Sequence, residues 1–398
     1  MSVIEKELKY CAHNYLPLPV VLTKGEGCFL YDDSGKKYID MMSAYSAVSH
    51  GHCNKRLLGV LGEQANKLCI TSRAFYTDKL ADFAEKLCKF TKMDAMLPMN
   101  TGAEAVETAI KAARLWGYKV KNITKHNAQI IVANQNFHGR TTTIVGFSSE
   151  KSYKDDFGPF APGFTNIPFG DISAFKNAIT KDTCAILLEP MQGEGGIIVP
   201  PDGYLKQVQQ VCKDNNILLI LDEIQTGLGR TGKDFAFQYE IDKPDCLILG
   251  KALGGGILPV SAFLASSQIM DLFTPGTHGS TFGGNPLACA IALEALKIIE
   301  EDNLTKNSYE LGKHLVKRLK NIKSPAIKDI RGKGLWVGVE IDPKYASARK
   351  ICEELMLNGV LSKETHEVVV RLAPPLVIDK KTLDNAIDIF EKILGKIK

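Results

Sequence analysis

Two apolar runs end in side chains that could do chemistry together. The run 218–221 is followed by Asp222 and Glu223, and the run 246–249 is followed by a glycine and Lys251. Short apolar runs of this kind are typical of strands buried on both faces of a parallel sheet. Because ligands of open α/β sheets bind beyond the carboxyl ends of the strands, we expect Asp222 and Lys251 to face the same edge. There, a carboxylate could keep a ring nitrogen protonated, and a primary amine could form an imine with an aldehyde.

Glycine around the lysine favours a bound molecule over the ordinary alternatives. An isolated Asp-Glu pair most often ends a strand and caps the next helix, and most lysines are solvated. Here Gly250 precedes Lys251, and Gly254, Gly255 and Gly256 follow it closely. Glycine removes bulk, so a flat group can approach the amine. Since pyridoxal phosphate requires a lysine for its aldehyde and an acid for its ring nitrogen, the pattern predicts a site for that cofactor.

A second stretch, residues 100–105, suits an anion because it joins a predicted strand to a predicted helix. Gly102 and Ala103 would let a phosphate approach the backbone N–H groups of the helix N-terminus, where the helix dipole favours negative charge. The ordinary alternative is a capped helix start, with Thr101 as N-cap and Glu104 completing a capping box. Both can hold together, because a capped start can also bind phosphate.

The stretch 137–140 follows the predicted strand 129–133. An aromatic ring such as Phe137 at a strand end can stack on a flat heterocycle. The guanidinium of Arg140 suits a substrate carboxylate through bidentate pairing. Taken alone, these residues would be interpreted as a core aromatic and a surface arginine.

The glycine-rich segment 227–233 matches two nucleotide-binding patterns but fits neither well. It has G-x-G-x-x-G spacing and nearly forms a phosphate loop, with Asp234 where a serine or threonine should bind magnesium. Its glycines do not directly follow the strand end, and a carboxylate at 234 would repel a triphosphate. We therefore expect a surface loop.

His50 and His52 have no further ligands nearby, so no metal site is predicted.

Composition places the chain among ordinary globular proteins. It has 398 residues, 45% hydrophobic and 24% charged, and a net charge of +4 that argues against a nucleic-acid partner. The ten cysteines show no paired spacing, which favours a reducing compartment. Without a recognisable signal, transit or membrane-spanning segment, we expect a cytoplasmic protein that binds no membrane. Lysine-rich patches, such as Lys398 and its neighbours, are expected to be solvated helix faces.

Strands and helices alternate from about residue 93 to 266, which predicts a mainly parallel α/β sheet. The expected strands of this region are 95–99, 129–133, 185–188, 217–221, 246–249 and 260–265. Its expected helices include 102–118 and 204–214. Before it we expect helices at 55–68 and 77–90 and a small antiparallel unit with strands at 19–22, 27–31 and 37–41. After it we expect helices at 285–302, 304–322, 346–358 and from 381, with strands at 332–341 and 368–372.

These elements predict a large α/β domain and a smaller α+β domain. We place an N-terminal segment at 1–42, which packs with the small domain. The large cofactor-binding domain then covers 43–285, and the small domain covers 286–398.

With these motifs in order, the chain resembles the class III aminotransferases, which are fold type I enzymes that use pyridoxal phosphate. The resemblance covers essentially the whole length. Its motifs are NTGAEA, FHGR, LLEPMQGEGG, LLILDEIQTGLGRTG, GKALGGG and HGSTFGGNP. Within the family, HNYLPLPV, SAYSAVSHGHC and SRAFYTD are most similar to the ornithine aminotransferases. Tyr15 and Tyr45 are less expected in relatives that act on acetylornithine or 4-aminobutyrate.

The resemblance implies roles around the cofactor. The implied catalytic residues are Lys251, Asp222 and Glu189. The implied cofactor-binding residues are Gly102, Ala103, Phe137, His138, Asp222, Gln225, Lys251, Ser280 and Thr281. Lys251 would be covalent nucleophile and base, Asp222 would pair with the ring nitrogen, and Phe137 would stack on the ring. Ser280 and Thr281 would reach the phosphate from the other subunit of a homodimer, and the role of His138 is left open.

The resemblance also implies how substrates bind. Tyr15 and Arg140 would hold the α-amino and α-carboxylate groups of ornithine, with Tyr45 shaping the pocket. Arg371 would receive the α-carboxylate of 2-oxoglutarate. Glu194 would mask Arg371 while ornithine is bound.

The implied reaction is transfer of the δ-amino group of ornithine to 2-oxoglutarate by a ping-pong mechanism. The first alternative is another ω-aminotransferase, acting on acetylornithine, 4-aminobutyrate or lysine. A nucleotide-binding protein built on 227–233 is a second alternative. A non-catalytic binding protein is a third, against which the presence of Lys251, Asp222 and Glu189 argues.

Overall fold

The computed structural model describes residues 1–397, so Lys398, assigned above to a solvated helix face, lies outside the described residues. The strands are β1 (Leu22–Glu26), β2 (Phe29–Asp32), β3 (Lys37–Asp40), β4 (Ala95–Met99), β5 (Gln129–Ala133), β6 (Phe164–Ile167), β7 (Thr183–Leu188), β8 (Leu218–Asp222), β9 (Cys246–Leu249), β10 (Ser261–Ala265), β11 (Ile327–Gly332), β12 (Val337–Ile341), β13 (Val360–Leu361), β14 (Lys363–Thr365) and β15 (Val369–Leu372). The helices are α1 (Val3–Tyr10), α2 (Ser43–Ser46), α3 (Lys55–Ala65), α4 (Asp78–Thr91), α5 (Gly102–Lys119), α6 (Thr142–Gly146), α7 (Lys151–Lys154), α8 (Ile172–Ala178), α9 (Tyr204–Asp214), α10 (Ser267–Met270), α11 (Pro286–Glu301), α12 (Leu304–Asn321), α13 (Ala348–Leu357) and α14 (Lys380–Leu394). Within residues 1–397, every helix is too short or too polar to span a membrane.

A seven-stranded sheet forms the centre of the fold, in the order β4-β10-β9-β8-β7-β5-β6. Strand β10 runs antiparallel to both neighbours, and the remaining pairs are parallel. The expected mainly parallel α/β sheet is therefore confirmed. Because β8 and β9 are adjacent and parallel, Asp222 and Lys251 follow neighbouring strands at the same edge.

Successive side chains of the central strands enter different cores. On β8, Leu218 and Ile220 pack on the face covered by α5, whereas Leu219 and Leu221 pack on the face that contains α9 and α11. All four are at most 5% exposed. Burial of each such side chain contributes roughly 1.5–3 kcal/mol. The strand that ends in Asp222 is thus held from both sides.

Two four-stranded sheets complete the described fold. In one, β1, β2 and β3 form the expected antiparallel unit, and β13 adds to β3 in parallel. The other, ordered β11-β12-β15-β14, is antiparallel. Helix α11, with which the predicted C-terminal domain begins, packs against α3 and α4. The domain boundaries at 42 and 285 stay a prediction.

Some elements differ from the sequence-based expectation. The strand expected at 332–341 begins only at Val337, as β12, because Gly332 and Gly334 take positive φ of 151° and 59° and reverse the chain there; the partner strand β11 before the turn was not predicted. The strand expected at 19–22 begins only at Leu22, since Pro19 has no N–H for a strand ladder. Helix α1 and strand β6 were not predicted.

Candidate active site

Asp222 and Lys251 line one cavity of about 190 Å³ at the carboxyl edge of the large sheet. The cavity is lined by Gly102, Ala103, Phe137, His138, Gly139, Glu189, Met191, Asp222, Ile224, Gln225, Thr226 and Lys251. It brings together all the predicted catalytic residues. Of the predicted cofactor-binding residues, only Ser280 and Thr281 are missing from it.

Asp222 is fixed by a histidine behind it. His138 Nδ1 lies 2.7 Å from Asp222 Oδ2, and both side chains are buried. The other oxygen, Oδ1, accepts from the backbone N–H of Ile224 at 3.0 Å. Burial alone would lower the pKa of His138, but the hydrogen bond and charge of Asp222 outweigh it and raise that pKa. His138 thus supports the carboxylate, the role that sequence reasoning left open.

Glu189 lines the cavity and also accepts hydrogen bonds from two backbone N–H groups. Its Oε2 accepts from the N–H of Phe137 and its Oε1 from the N–H of Gly193, both at 3.1 Å. Burial raises the pKa of Glu189 to about 7, and the nearby Asp222 acts in the same direction. Because these bonds fix the backbone of Phe137, Glu189 sets the position of an aromatic wall of the cavity.

Lys251 is a buried amine in a tight turn. It begins a short 3₁₀ turn after β9 and has φ of 44°, a conformation that costs energy for a non-glycine residue. Burial lowers the pKa of its ammonium; Glu194 opposes this, and Arg371 adds to it. A lowered pKa makes more of the amine available as the free nucleophile near neutral pH.

The start of α5 carries the predicted anion site. Thr101 Oγ1 accepts from Glu104 N at 3.3 Å, and Glu104 accepts from Thr101 N at 2.7 Å, so the capping box forms. Gly102 and Ala103 still border the cavity. A Cβ on Gly102 would lie 2.9 Å from Ile224 Cδ1, so a larger residue there would require the end of that side chain to move.

These residues fit pyridoxal phosphate. An acid held by His138, a buried amine and a helix N-terminus surround one cavity, as a pyridine ring with an aldehyde and a phosphate requires. The side-chain Nε2 of Gln225 is buried and has no hydrogen-bond partner among residues 1–397. This donor is free to meet a ring oxygen.

Arg371 and Glu194 form an ion pair close to the site. Arg371 Nη1 and Nη2 donate to the two carboxylate oxygens at 2.8 and 2.9 Å, and the Arg371 side chain is fully buried. The Arg371 guanidinium lies 5.0 Å from the centre of the Tyr45 ring. Thr365 donates to the backbone oxygen of Glu194 at 2.6 Å, which fixes the loop that carries it.

Arg140 differs from Arg371 in its partners. Its guanidinium carbon lies 3.7 Å from the ring centre of Tyr153 and 5.4 Å from that of Phe137. Within the described chain, no carboxylate oxygen lies within 4.0 Å of Arg140. Sequence reasoning missed Tyr153, because a single tyrosine in a polar segment gives no pattern.

Tyr45 lies in a left-handed turn, Ser43–Ser46, whose φ values run from 45° to 74°. Asp40 Oδ1 accepts from the backbone N–H groups of Met42 and Ser43, each at 2.8 Å. Burial raises the pKa of Tyr45, and Glu194 and Tyr15 add to this effect while Arg371 opposes it. Tyr15 is 75% exposed in the single chain.

His50 and His52 are both engaged within the protein. His50 Nε2 donates to Ala295 O at 3.0 Å, and His52 Nε2 lies 2.7 Å from Asp40 Oδ2. In the part of the chain that the structure describes, no three side chains are grouped to hold a metal ion.

Ser280 and Thr281 lie away from the cavity of their own chain. Ser280 Oγ accepts from the Asn100 side chain at 2.9 Å and from Gly283 N at 3.0 Å. Ser280 borders a groove of about 740 Å³ together with Phe75 and Tyr76. The structure therefore does not bring the two residues to this chain's own cofactor site.

The segment 227–233 is not a surface loop, and that prediction is wrong. Residues 227–232 are buried. Arg230 is fully buried, and donates to Leu335 O, Pro374 O, Ser43 Oγ and Ser49 Oγ at 2.6–3.1 Å. The glycines of this segment give close approach to other parts of the chain, since a Cβ on Gly232 would lie 2.9 Å from Tyr309 Cα.

Comparison with known proteins places the chain in a family. The family model of the class III aminotransferases matches residues 10–394. An ornithine aminotransferase of Brevibacillus brevis is 54% identical, covering 98% of each chain, and one of Halalkalibacterium halodurans is 54% identical, covering 97% of this chain and 96% of its own.

Solved structures give the same result. The ornithine aminotransferase of Toxoplasma gondii, described with partial occupancy of pyridoxal phosphate at its active site, has a TM-score of 0.98 at 41% identity and covers 99% of this chain and 93% of its own. An acetylornithine aminotransferase of Elizabethkingia anophelis has a TM-score of 0.90 at 45% identity, covering 99% and 98%. With the family model and these relatives spanning nearly the whole sequence, the chain belongs to the class III aminotransferases.

Proposed function

We propose that the enzyme transfers the δ-amino group of L-ornithine to 2-oxoglutarate. The products are glutamate and glutamate 5-semialdehyde, which cyclises to pyrroline-5-carboxylate. Relatives at 52–54% identity over nearly the full length are ornithine aminotransferases. The observation that carries the proposal is the unequal state of two arginines: Arg371 is paired with Glu194, whereas Arg140 has no carboxylate partner among the described residues.

As a class III aminotransferase, the enzyme uses pyridoxal phosphate, which when bound supplies an electron sink for the electrons of the broken C–H bond. Asp222 would face the ring nitrogen and Phe137 the ring. Gln225 would donate to the ring oxygen, and Gly102 and Ala103 would hold the phosphate. Lys251 would hold the group covalently.

Lys251 acts as nucleophile and base. With the cofactor bound, Lys251 would be freed by the substrate amine, and its own amine would then be the base that takes the proton from the δ-carbon and later gives it up again. His138 Nδ1, 2.7 Å from Asp222 Oδ2, would orient this carboxylate towards the ring nitrogen. His138 therefore orients the acid while taking no part in the proton transfer.

Selectivity requires that the α-end of ornithine stay away from Lys251. Arg140 binds the α-carboxylate, and Tyr15 binds the α-amino group. Glu194 remains on Arg371, so this second cation does not draw the α-carboxylate into the reacting position. A polar site left without its partner penalises the reversed orientation.

The second half-reaction exchanges the partner of Arg371. A buried arginine left unpaired would destabilise the site by several kcal/mol, so Glu194 is released only as a carboxylate replaces it. The α-carboxylate of 2-oxoglutarate is that replacement. Its distal carboxylate then needs another cation, and Arg140 is available for it.

The active enzyme is a homodimer, in which the phosphate site is completed by Ser280 of the partner subunit and Thr281 of the partner subunit. Ser280 and Thr281 lie outside the cavity of their own chain, beside a groove with exposed aromatic side chains.

We place the enzyme in the cytoplasm, because the ten cysteines are all free and most are buried, as in a reducing compartment.

The test compares amino donors with 2-oxoglutarate as acceptor. We expect turnover of ornithine to exceed that of N-acetylornithine, 4-aminobutyrate and lysine, with pyrroline-5-carboxylate as product. N-acetylation removes the α-ammonium group that Tyr15 would bind. The Lys251→Ala enzyme is the inactive control. Preference for N-acetylornithine would instead support the alternative that the 45% identical Elizabethkingia structure favours.

A further inference from the structure

Arg140 has a fixed position without an ion-pair partner. The side chain is exposed, and no carboxylate oxygen of residues 1–397 lies within 4.0 Å of it. A free arginine side chain loses rotamer entropy when a ligand immobilises it. Some other contact must therefore hold the guanidinium if it is to bind a substrate carboxylate without that loss.

Tyr153 supplies this contact. Its ring centre lies 3.7 Å from the guanidinium carbon, which is face-to-face stacking distance. Phe137 approaches the same guanidinium at 5.4 Å, and the two rings are nearly perpendicular at 83°. Stacking uses the face of a guanidinium and leaves its in-plane N–H donors free.

Tyr153 also belongs to the substrate site by its surroundings. Burial raises the pKa of its phenol, Arg140 acts against this, and Glu194 adds to it. Helix α7, which carries Tyr153, begins after Glu150, and Glu150 Oε1 lies 3.9 Å from His366 Nε2 in the turn between β14 and β15. The tyrosine is thereby connected to the hairpin that bears Arg371.

We propose that Tyr153 is a positioning residue for substrate specificity, which presets the Arg140 guanidinium for the carboxylate farthest from the reacting amine. It acts through Arg140 and touches no reacting atom. The inference rests on the proposed function for the identity of one donor, ornithine. It applies equally to glutamate, whose second carboxylate needs the same cation.

The experiment follows single half-reactions of the holoenzyme by the absorbance of its bound cofactor, with ornithine and separately with glutamate. The variants are Tyr153→Leu, Tyr153→Phe, Arg140→Ala and the double variant Tyr153→Leu/Arg140→Ala. The matched control is Tyr31→Leu on β2, outside the site. Tyr31 also lies near a cation, since the Lys24 ammonium is 5.0 Å from the centre of its ring. The cofactor spectrum before substrate addition reports whether the site is intact.

We expect Tyr153→Leu to raise the half-saturating donor concentration about 3- to 30-fold, with a smaller change in the rate at saturation. Tyr153→Phe, which keeps the ring, should restore affinity, and Tyr31→Leu should match the unsubstituted enzyme. In the double variant, the loss of Tyr153 should add nothing to the loss of Arg140.

Unchanged affinity in Tyr153→Leu, or losses that add in the double variant, would overturn the inference. If the unsubstituted enzyme does not react with ornithine, the proposed function fails. The glutamate arm then still decides the role of Tyr153.

Discussion

Two adjacent carboxylates on one strand end meet different surroundings. Asp222 lines the cofactor cavity and contacts His138. Glu223 turns into the protein, where it accepts from Phe237 N at 2.8 Å and from the Thr226 hydroxyl. Burial raises the pKa of Glu223 to about 7. A single residue step along β8 thus separates a site group from a structural one.

Replacement of Glu223 tests this separation. With a folded-state pKa of about 7 above its ordinary 4.5, Glu223 contributes stability below pH 4.5 that is lost as pH rises through 7. Glu223→Gln cannot ionise; its amide oxygen can still accept from Phe237 N, and its amide N–H can donate to the Thr226 hydroxyl in place of the bond that hydroxyl donates now. As the pH rises from 5 to 8, we expect the unfolding temperature of the variant to fall less than that of the unsubstituted enzyme. The variant should retain turnover.

The control for this experiment is Glu310→Gln, an exposed glutamate on α12. Its stability profile should follow that of the unsubstituted enzyme. If Glu223→Gln gives a parallel profile as well, Glu223 is ionised in the folded protein at pH 5.

At the scale of elements, the left-handed turn Ser43–Ser46 needs outside support. For L-residues, each left-handed helical position costs roughly 1–2 kcal/mol. Arg230 and Asp40 provide support from two sides, and Ser43 Oγ donates to Ala373 O at 2.7 Å. Because Tyr45 lies inside this turn, elements far from the cavity fix the position of a proposed substrate-binding residue.

We therefore expect Arg230→Lys to lower both stability and ornithine affinity. Lysine has fewer donors than the four bonds that Arg230 makes, and each buried acceptor left without a donor costs roughly 1–3 kcal/mol. Thermal unfolding and half-saturating ornithine concentration measure the two effects. The control is Arg318→Lys, which changes a partly exposed ion pair of α12. Its free energy of unfolding should change by less than about 1 kcal/mol. Loss of stability with unchanged ornithine affinity would separate Arg230 from the Tyr45 turn.

Sequence patterns predicted the elements whose information is local. Strands β4, β5 and β9 and helix α9 have the expected bounds, because a continuous apolar run or a helical period is complete within each. The strand expected at 332–341 includes the turn before β12, and β11 was missed because Ile327–Gly332 contains three charged residues and no apolar run. The burial of Arg230 could not be predicted, since its four acceptors come from distant segments of the sequence. Tyr153 was missed because a single tyrosine in a polar segment gives no pattern.

At the scale of the whole molecule, one face of the chain exposes large aromatic side chains. Phe75 is 69% exposed, Phe282 is 57% exposed, and Tyr76 is fully exposed. Phe75 and Tyr76 line the groove that Ser280 also borders. Monomeric proteins rarely expose such patches, so a second copy covering this face would bury them and supply the phosphate contacts together.

Tyr76→Asp tests the proposed dimer. A charge buried in an apolar interface is strongly unfavourable, so we expect sedimentation to show a monomer that retains the cofactor weakly and has little activity. Leu357→Asp is the control, because Leu357 is 62% exposed and lies on α13. A Tyr76→Asp enzyme that remains dimeric with full cofactor content would place the interface elsewhere.

The bond from Ser43 to Ala373 spans 330 residues. During synthesis, the turn that carries Tyr45 is therefore made well before Ala373. Until Ala373 follows, Asp40 can hold the turn through its bonds from Met42 N and Ser43 N, but the bond from Ser43 to Ala373 is missing. We expect a chain that stops before Ala373 to hold Tyr45 less firmly.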